Sequence, residues 1–173
     1  MCPHGTNSPE EVVIPEMFEA MEKLKQDGKI RHFGLSAHTD SACILQEAVN
    51  TGKYDAAMIA YNITNGDYID FAVRNAYEHG VGVVAMKAAL SVYTEKKDNY
   101  VPKRRIKKLN HVVPGKMKIP MKAYLWALQN PNITCCVSEM INSDHVRDNL
   151  PLTGKKIKLV PLEDRSKFDY LKL

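Results

Sequence analysis

The chain has 173 residues, 45% of them hydrophobic and 25% charged, the balance of a globular protein rather than a disordered or fibrous one. Its net charge of +4 is too mild to demand a polyanionic partner. No apolar run approaches the ~20 residues of a membrane-spanning helix, and Met1-Cys2-Pro3-His4-Gly5 lacks the basic-then-apolar pattern of a secretion signal.

The first helix is expected over residues 8–29. Ser8-Pro9-Glu10-Glu11 reads as an N-cap, a proline at the first helical position and a capping-box glutamate. Val13, Met17, Met21 and Leu24 follow as one apolar stripe, and Gly28 closes the helix. Pro15 inside this pattern offers a second starting point. A strand is expected over 30–36, then a helix capped by Thr39 or Asp40 that carries Ile44, Leu45, Ala48 and Val49 and stops at Gly52. A strand over 55–61 precedes a helix over 67–79, with Ile69, Ala72, Val73, Ala76 and Tyr77 on its inner side. Residues 81–88 make a strong strand, 119–129 a helix, 133–138 a strand and 143–150 a short helix.

The strands are near-continuous apolar runs, as a parallel sheet covered by helices requires. Each connection is long enough for a crossover helix, so four successive strand–helix units imply an α/β fold. Residues 90–118 break the rhythm and read as a long basic loop on the strand-to-helix side, where barrels carry their active sites. Residues 154–173 form a tail with apolar positions Ile157, Leu159, Val160, Leu162, Phe168 and Leu171.

Cys2, Cys43, Cys135 and Cys136 fit neither a disulfide framework nor a zinc site, so no metal and a reducing, cytoplasmic setting are expected. Cys135-Cys136 lies in an apolar strand and reads as a pair of buried thiols. Lys103-Arg104-Arg105 and Lys107-Lys108 lack an aromatic stacking platform and read as a solvated charged loop rather than a nucleic-acid site.

Three stretches together resemble the aldo-keto reductase family. Residues 19–36, EAMEKLKQDGKIRHFGLS, are similar to the family's fourth helix running into its fifth strand. Asn130-Pro131-Asn132-Ile133-Thr134 is similar to the approach to its last strand, and residues 143–150, SDHVRDNL, to its final barrel helix. Their order and spacing extend the resemblance over about residues 1–153. It implies the C-terminal portion of a (β/α)8 TIM barrel, roughly strands 4/5 to 8, with 90–118 as an insertion. It also implies a nicotinamide cofactor, NADP or NAD, and hydride transfer between that cofactor and a small carbonyl or alcohol substrate.

The family handles the proton with an Asp, Tyr, Lys and His tetrad. By the resemblance the first three have no counterpart in this chain, and His4 falls at the histidine. An imidazole without its tyrosine and lysine loses nearly all of the concerted stabilisation, so the chain alone is expected to be inactive. The alternative is a non-catalytic nucleotide-binding or scaffold protein derived from the family.

The resemblance places Ser36 at the nicotinamide carboxamide contact. Ala37 and Met58 stand where members often have asparagine and glutamine. Met86 and Lys87 replace a stacking aromatic and a serine; Met86 either covers a ring face or packs in the core. Met140, Asn142, His145 and Asn149 fall along the stretch that holds the adenosine half, with Asn149 at the adenine-contacting asparagine. A strand ending before a capped helix also supplies free N–H groups and a dipole for an anion. Glu139 stands there as a carboxylate that repels a 2′-phosphate. The tail has no cysteine, so no iron–sulfur cluster is expected. An open half-barrel leaves two raw sheet edges, which predicts self-association.

Overall fold

The computed structural model describes residues 5–94 and 100–161. His4 and the tail positions Leu162, Phe168 and Leu171 lie outside the described residues. The chain divides into two compact units, the first drawn from Met1–Ala60, Tyr68–Ala85 and Asn132–Cys135, the second from Tyr61–Asp67, Met86–Pro131 and Cys136–Leu173.

The helices are α1 (Pro15–Gln26), α2 (Ser41–Thr51), α3 (Gly66–Glu78), α4 (Lys103–Val112), α5 (Ile119–Ala127) and α6 (Ser143–Asn149). They alternate with the strands β1 (Gly34–Ala37), β2 (Ala56–Ala60), β3 (Gly82–Met86) and β4 (Cys135–Cys136), apart from the α4–α5 pair, which follows β3. The strands form one parallel sheet in the order β1-β2-β3-β4. That order gives consecutive strands as neighbours, each joined by a crossover. The sheet does not close on itself. This is the α/β architecture expected, with an open parallel sheet consistent with part of a TIM-like barrel.

In the first unit β1 and β2 pair with Gly34 opposite Ala56 and Ser36 opposite Met58. A Cβ on Gly34 would lie 2.7 Å from the Ala56 carbonyl oxygen, so only glycine lets the strands meet in this register. Burial alternates along the strands. Leu35, Ala37, Ala57, Ile59, Val83 and Ala85 are buried, whereas Ser36, Met58 and Val84 are half-buried. The apolar runs therefore have one fully covered face and one partly open face, because the sheet is not closed.

Helix α2 buries Ile44, Leu45 and Ala48, and α3 buries Ile69, Ala72, Val73 and Ala76. Tyr77, expected on the inner side of α3, is 56% exposed; it follows Ala76 by one residue, which is ~100° around the helix. Gly52 and Gly80, with φ of 61° and 76°, end their helices in the left-handed conformation that costs a glycine least.

The expected helix over 8–29 is two elements. Pro9–Val12 is a single 3-10 turn, and α1 starts at Pro15, where a proline has no N–H to lose. Glu11 accepts from the Asn7 N–H at 2.8 Å in place of a capping box on Ser8, which makes no side-chain cap bond. The break changes the helical phase, so Val12 is buried and Val13 is 46% exposed.

In the second unit the expected loop over 90–118 contains α4. Pro102 precedes the helix, and Leu109, Val112 and Val113 join Ile63, Leu125 and Leu152 in one core cluster. Surrounding basic residues mask this short apolar stripe. Lys108, expected to be solvated, is 5% exposed. Its ammonium donates to the Ile63 carbonyl at 3.0 Å and lies 3.7 Å from Asp67. From α5, Lys122 is also buried and donates to the Val113 carbonyl at 2.8 Å. Trp126 stacks on Tyr61 with ring centres 5.1 Å apart. The described part of the tail packs here: Ile157 and Leu159 lie against the core, and the Val160 N–H donates to the Val112 carbonyl at 3.0 Å.

Candidate functional site

The α6 stretch is built from local rules. Residues 137–142 leave β4, and Asn142 is extended (φ −152°). Its side-chain oxygen accepts from the His145 N–H at 2.9 Å, which satisfies one first-turn donor and starts the helix at Ser143. That bond commits one N–H that the sequence offered to an anion, and Asp144 adds a carboxylate to the same turn. The start of α6 is thus a weaker anion receptor than its cap residues suggest.

Two ion pairs flank the helix. Arg147 reaches Asp144 at 2.6 Å along one face, and Lys118 reaches Asp148 at 2.5 Å from the residue before α5. Bonding to Asp148, with Asp144 also near, holds the Lys118 ammonium above its usual range. The carboxylates therefore already neutralise both cations. Lys118 was not singled out in the sequence, because it precedes Asp148 by 30 residues and no local spacing links them.

Asn149 ends the helix. Its amide nitrogen donates to the Ser138 hydroxyl at 3.1 Å, while its side-chain oxygen is buried with no hydrogen-bond partner among the described residues. A buried acceptor left unpaired costs about 1–3 kcal/mol. An N–H donor brought to this oxygen, such as the exocyclic amine of adenine, would remove that cost. Ser138 escaped notice in the sequence; its role emerges only when the strand end and the helix end come together.

The other candidates divide between the units. Ser36 lies in β1 of the first unit, half-buried on the partly open face, with its carbonyl accepting from the Thr6 N–H at 2.7 Å. Met86, Lys87, Met140, Asn142, His145 and Asn149 belong to the second. Met86 is 7% exposed at the end of β3. Lys87 is exposed with φ of 56°, an uncommon conformation for a non-glycine residue. Met140 is 50% exposed, and His145 is half-buried. Cys135 is exposed and Cys136 half-buried, against the expectation of two buried thiols: among the described residues β4 is an edge strand with a neighbour on one side only. Among the described residues no group of three or more His, Cys, Asp or Glu side chains is placed to hold a metal, and no helix is long and apolar enough to cross a membrane.

These features define an α/β protein whose parallel sheet delivers its last strand to a short capped helix. The model of the aldo/keto reductase family matches residues 3–158. The chain belongs to the aldo/keto reductase family, whose members are NAD(P)-dependent oxidoreductases. No curated protein matches the chain.

Proposed function

We propose that this chain is the nucleotide-holding C-terminal portion of an aldo-keto reductase barrel, with α6 as the seat of the cofactor's adenosine half. The observation that carries the reading is the unpaired, buried side-chain oxygen of Asn149 beside the Ser138 hydroxyl. Asn149 would meet adenine, Asn142 and His145 would shape the start of the helix, and Met140 would offer an exposed apolar surface. Met86 and Lys87, in the same unit as α6, would attend the nicotinamide end. When bound, the cofactor supplies the hydride that passes to or from a small carbonyl or alcohol.

His4 would orient the carbonyl oxygen. With no tyrosine and lysine partners assigned in this chain, proton transfer is inadequately supported, and the chain alone is expected to be inactive. The partly open sheet face at Ser36, Met58 and Val84 and the β4 edge favour self-association or a complementary chain. A soluble setting in the cytoplasm accords with these roles.

Isothermal titration of the whole chain with NADH and NADPH tests the reading. Binding of at least one nucleotide, weakened about fivefold by Asn149→Ala through loss of one hydrogen bond, is expected. A cooperatively folded chain that binds neither would overturn it. Carbonyl reduction by the chain at a rate typical of enzymes would overturn the inactive assignment alone. A concentration-independent monomer in sedimentation would remove self-association.

A further inference from the structure

We infer that a cleft in the second unit binds a small molecule with an apolar, ring-sized body and a neutral polar end that accepts and donates at once, such as a primary carboxamide. The inference is independent of the cofactor reading, because none of the residues assigned to the cofactor lines this cleft.

The cleft has a volume of about 320 Å³, and all of its lining residues belong to the second unit. Binding clefts run from about 300 Å³ upward, with mostly apolar walls and a few convergent polar groups. This one therefore matches a ligand of a single ring. Val112 of α4, Trp126 of α5 and residues 159–161 of the tail supply apolar walls, and Lys108 and Asp67 supply the charges. The Lys108 side chain is 7% exposed and that of Asp67 55%, so the cation lies deep and the carboxylate stands at the rim. The ammonium donates to the Ile63 carbonyl at 3.0 Å but stands 3.7 Å from the carboxylate, beyond the ~2.7–3.2 Å of a direct hydrogen bond. A group with an acceptor beside a donor spans such a gap. Its oxygen accepts from Lys108 while its N–H donates to Asp67. The two charges balance, and a neutral ligand leaves that balance intact. A carboxylate or an ammonium would instead bring a charge that one member of the pair repels and that the cleft partly desolvates.

The test titrates the whole chain with benzamide, benzoate and benzylamine, one body with three polar ends. Trp126 is the chain's one tryptophan and lines the cleft, so its emission reports occupancy, with melting temperature as a second readout. Benzamide should bind with a Kd on the order of 1 mM. The two charged probes should bind at least about fivefold more weakly, the factor for one like-charge encounter at ~4 Å in water. Asp67→Asn and Lys108→Met, each first shown to melt cooperatively, then locate the ligand. Asp67→Asn removes the repelling carboxylate and should raise benzoate relative to benzamide. Lys108→Met should weaken benzamide about fivefold through loss of one hydrogen bond and raise benzylamine relative to it. An ion pair that serves the fold alone would not exchange the probe order in this way. No response to any probe by the folded wild type, or a probe order unmoved in both variants, would overturn the inference. Benzamide binding no tighter than the charged probes would overturn the neutral polar end.

Discussion

Phe33 and Asp55 hold each other through two hydrogen bonds: the Phe33 N–H donates to the Asp55 carboxylate at 2.7 Å, and the Asp55 N–H donates to the Phe33 carbonyl at 2.8 Å. Each residue stands just before its strand, so the clasp fixes the register in which Gly34 meets Ala56. Lys25, near the end of α1, reaches the same carboxylate at 3.3 Å, and His32 lies 3.5 Å from it. One aspartate thus ties helix α1 to the entries of β1 and β2.

Asp55→Ala should therefore destabilise the chain by about 1–3 kcal/mol, since it leaves the Phe33 N–H without its acceptor. Burial pushes the Asp55 carboxyl up, but the Phe33 N–H, Lys25 and His32 outweigh it and hold the group below its ordinary value of 3.8. The unfolded chain then takes up the proton first. The contribution is complete above the ordinary value and fades as pH falls through the lower folded one. Urea unfolding of wild type and Asp55→Asn from about pH 6 down to about pH 2.5 should show the stability gap closing on the acid side. A gap independent of pH would show that the charge contributes nothing.

Gly66 opens α3 directly beneath Trp126. A Cβ there would overlap the ring, lying 2.9 Å from its Cζ2 atom. Gly66→Ala must push the indole off Tyr61, a change costing about 1–3 kcal/mol. Because the chain has one tryptophan, its emission reports the displacement directly. A lower melting temperature with a shifted emission maximum is expected; an unchanged spectrum and melt would mean that the ring has room to yield.

Elements that bury a long periodic stripe were legible in the sequence. α2 and α3 run close to their expected bounds, because Ile44, Leu45 and Ala48, and Ile69, Ala72, Val73 and Ala76, recur at helical spacing between glycine stops. The capped start of α6 was legible because Asn142 and Ser143 carry a local signal. Illegible were features set by distant partners. α4 was hidden because its short apolar stripe lies among basic residues, one of which, Lys108, is itself drawn inside by the Ile63 carbonyl. The exposure of Cys135 depends on β4 being an edge, and sheet order is not written in a pentapeptide. At the candidate site Asn149 could be singled out by resemblance, whereas Ser138 and Lys118 become partners only through the fold.

Lys122 tests how the second unit tolerates a buried cation. Burial lowers its pKa from the ordinary 10.5, and its ammonium donates to the Val113 carbonyl. Below the lowered folded value both states are charged, and the full cost of burying the ammonium is present. Between that value and 10.5 the unfolded chain holds the proton that the folded chain has released, so stability rises with pH. Measured against Lys122→Met, the wild type should therefore gain stability as pH climbs from about 8 towards 10.5. A difference in melting temperature that stays flat over that range would mean that the amine keeps its proton when folded.

The last prediction concerns thiol reactivity, for which the thiolate is the attacking species. Cys43 and Cys135 are both exposed, yet a hydrogen bond to Asp40 and the negative charge of that residue push the Cys43 thiol up. Asp40 is also the left-handed residue before α2, with φ of 44°, so asparagine, which tolerates that conformation, is the variant to use. In a Cys2→Ser background, Asp40→Asn should speed maleimide labelling of Cys43 about two- to tenfold near pH 7, where thiolate supply limits the rate, and leave the rate at Cys135 unchanged. Equal acceleration at both cysteines would point to a general loosening of the fold. No change at Cys43 would show that Asp40 does not restrain it.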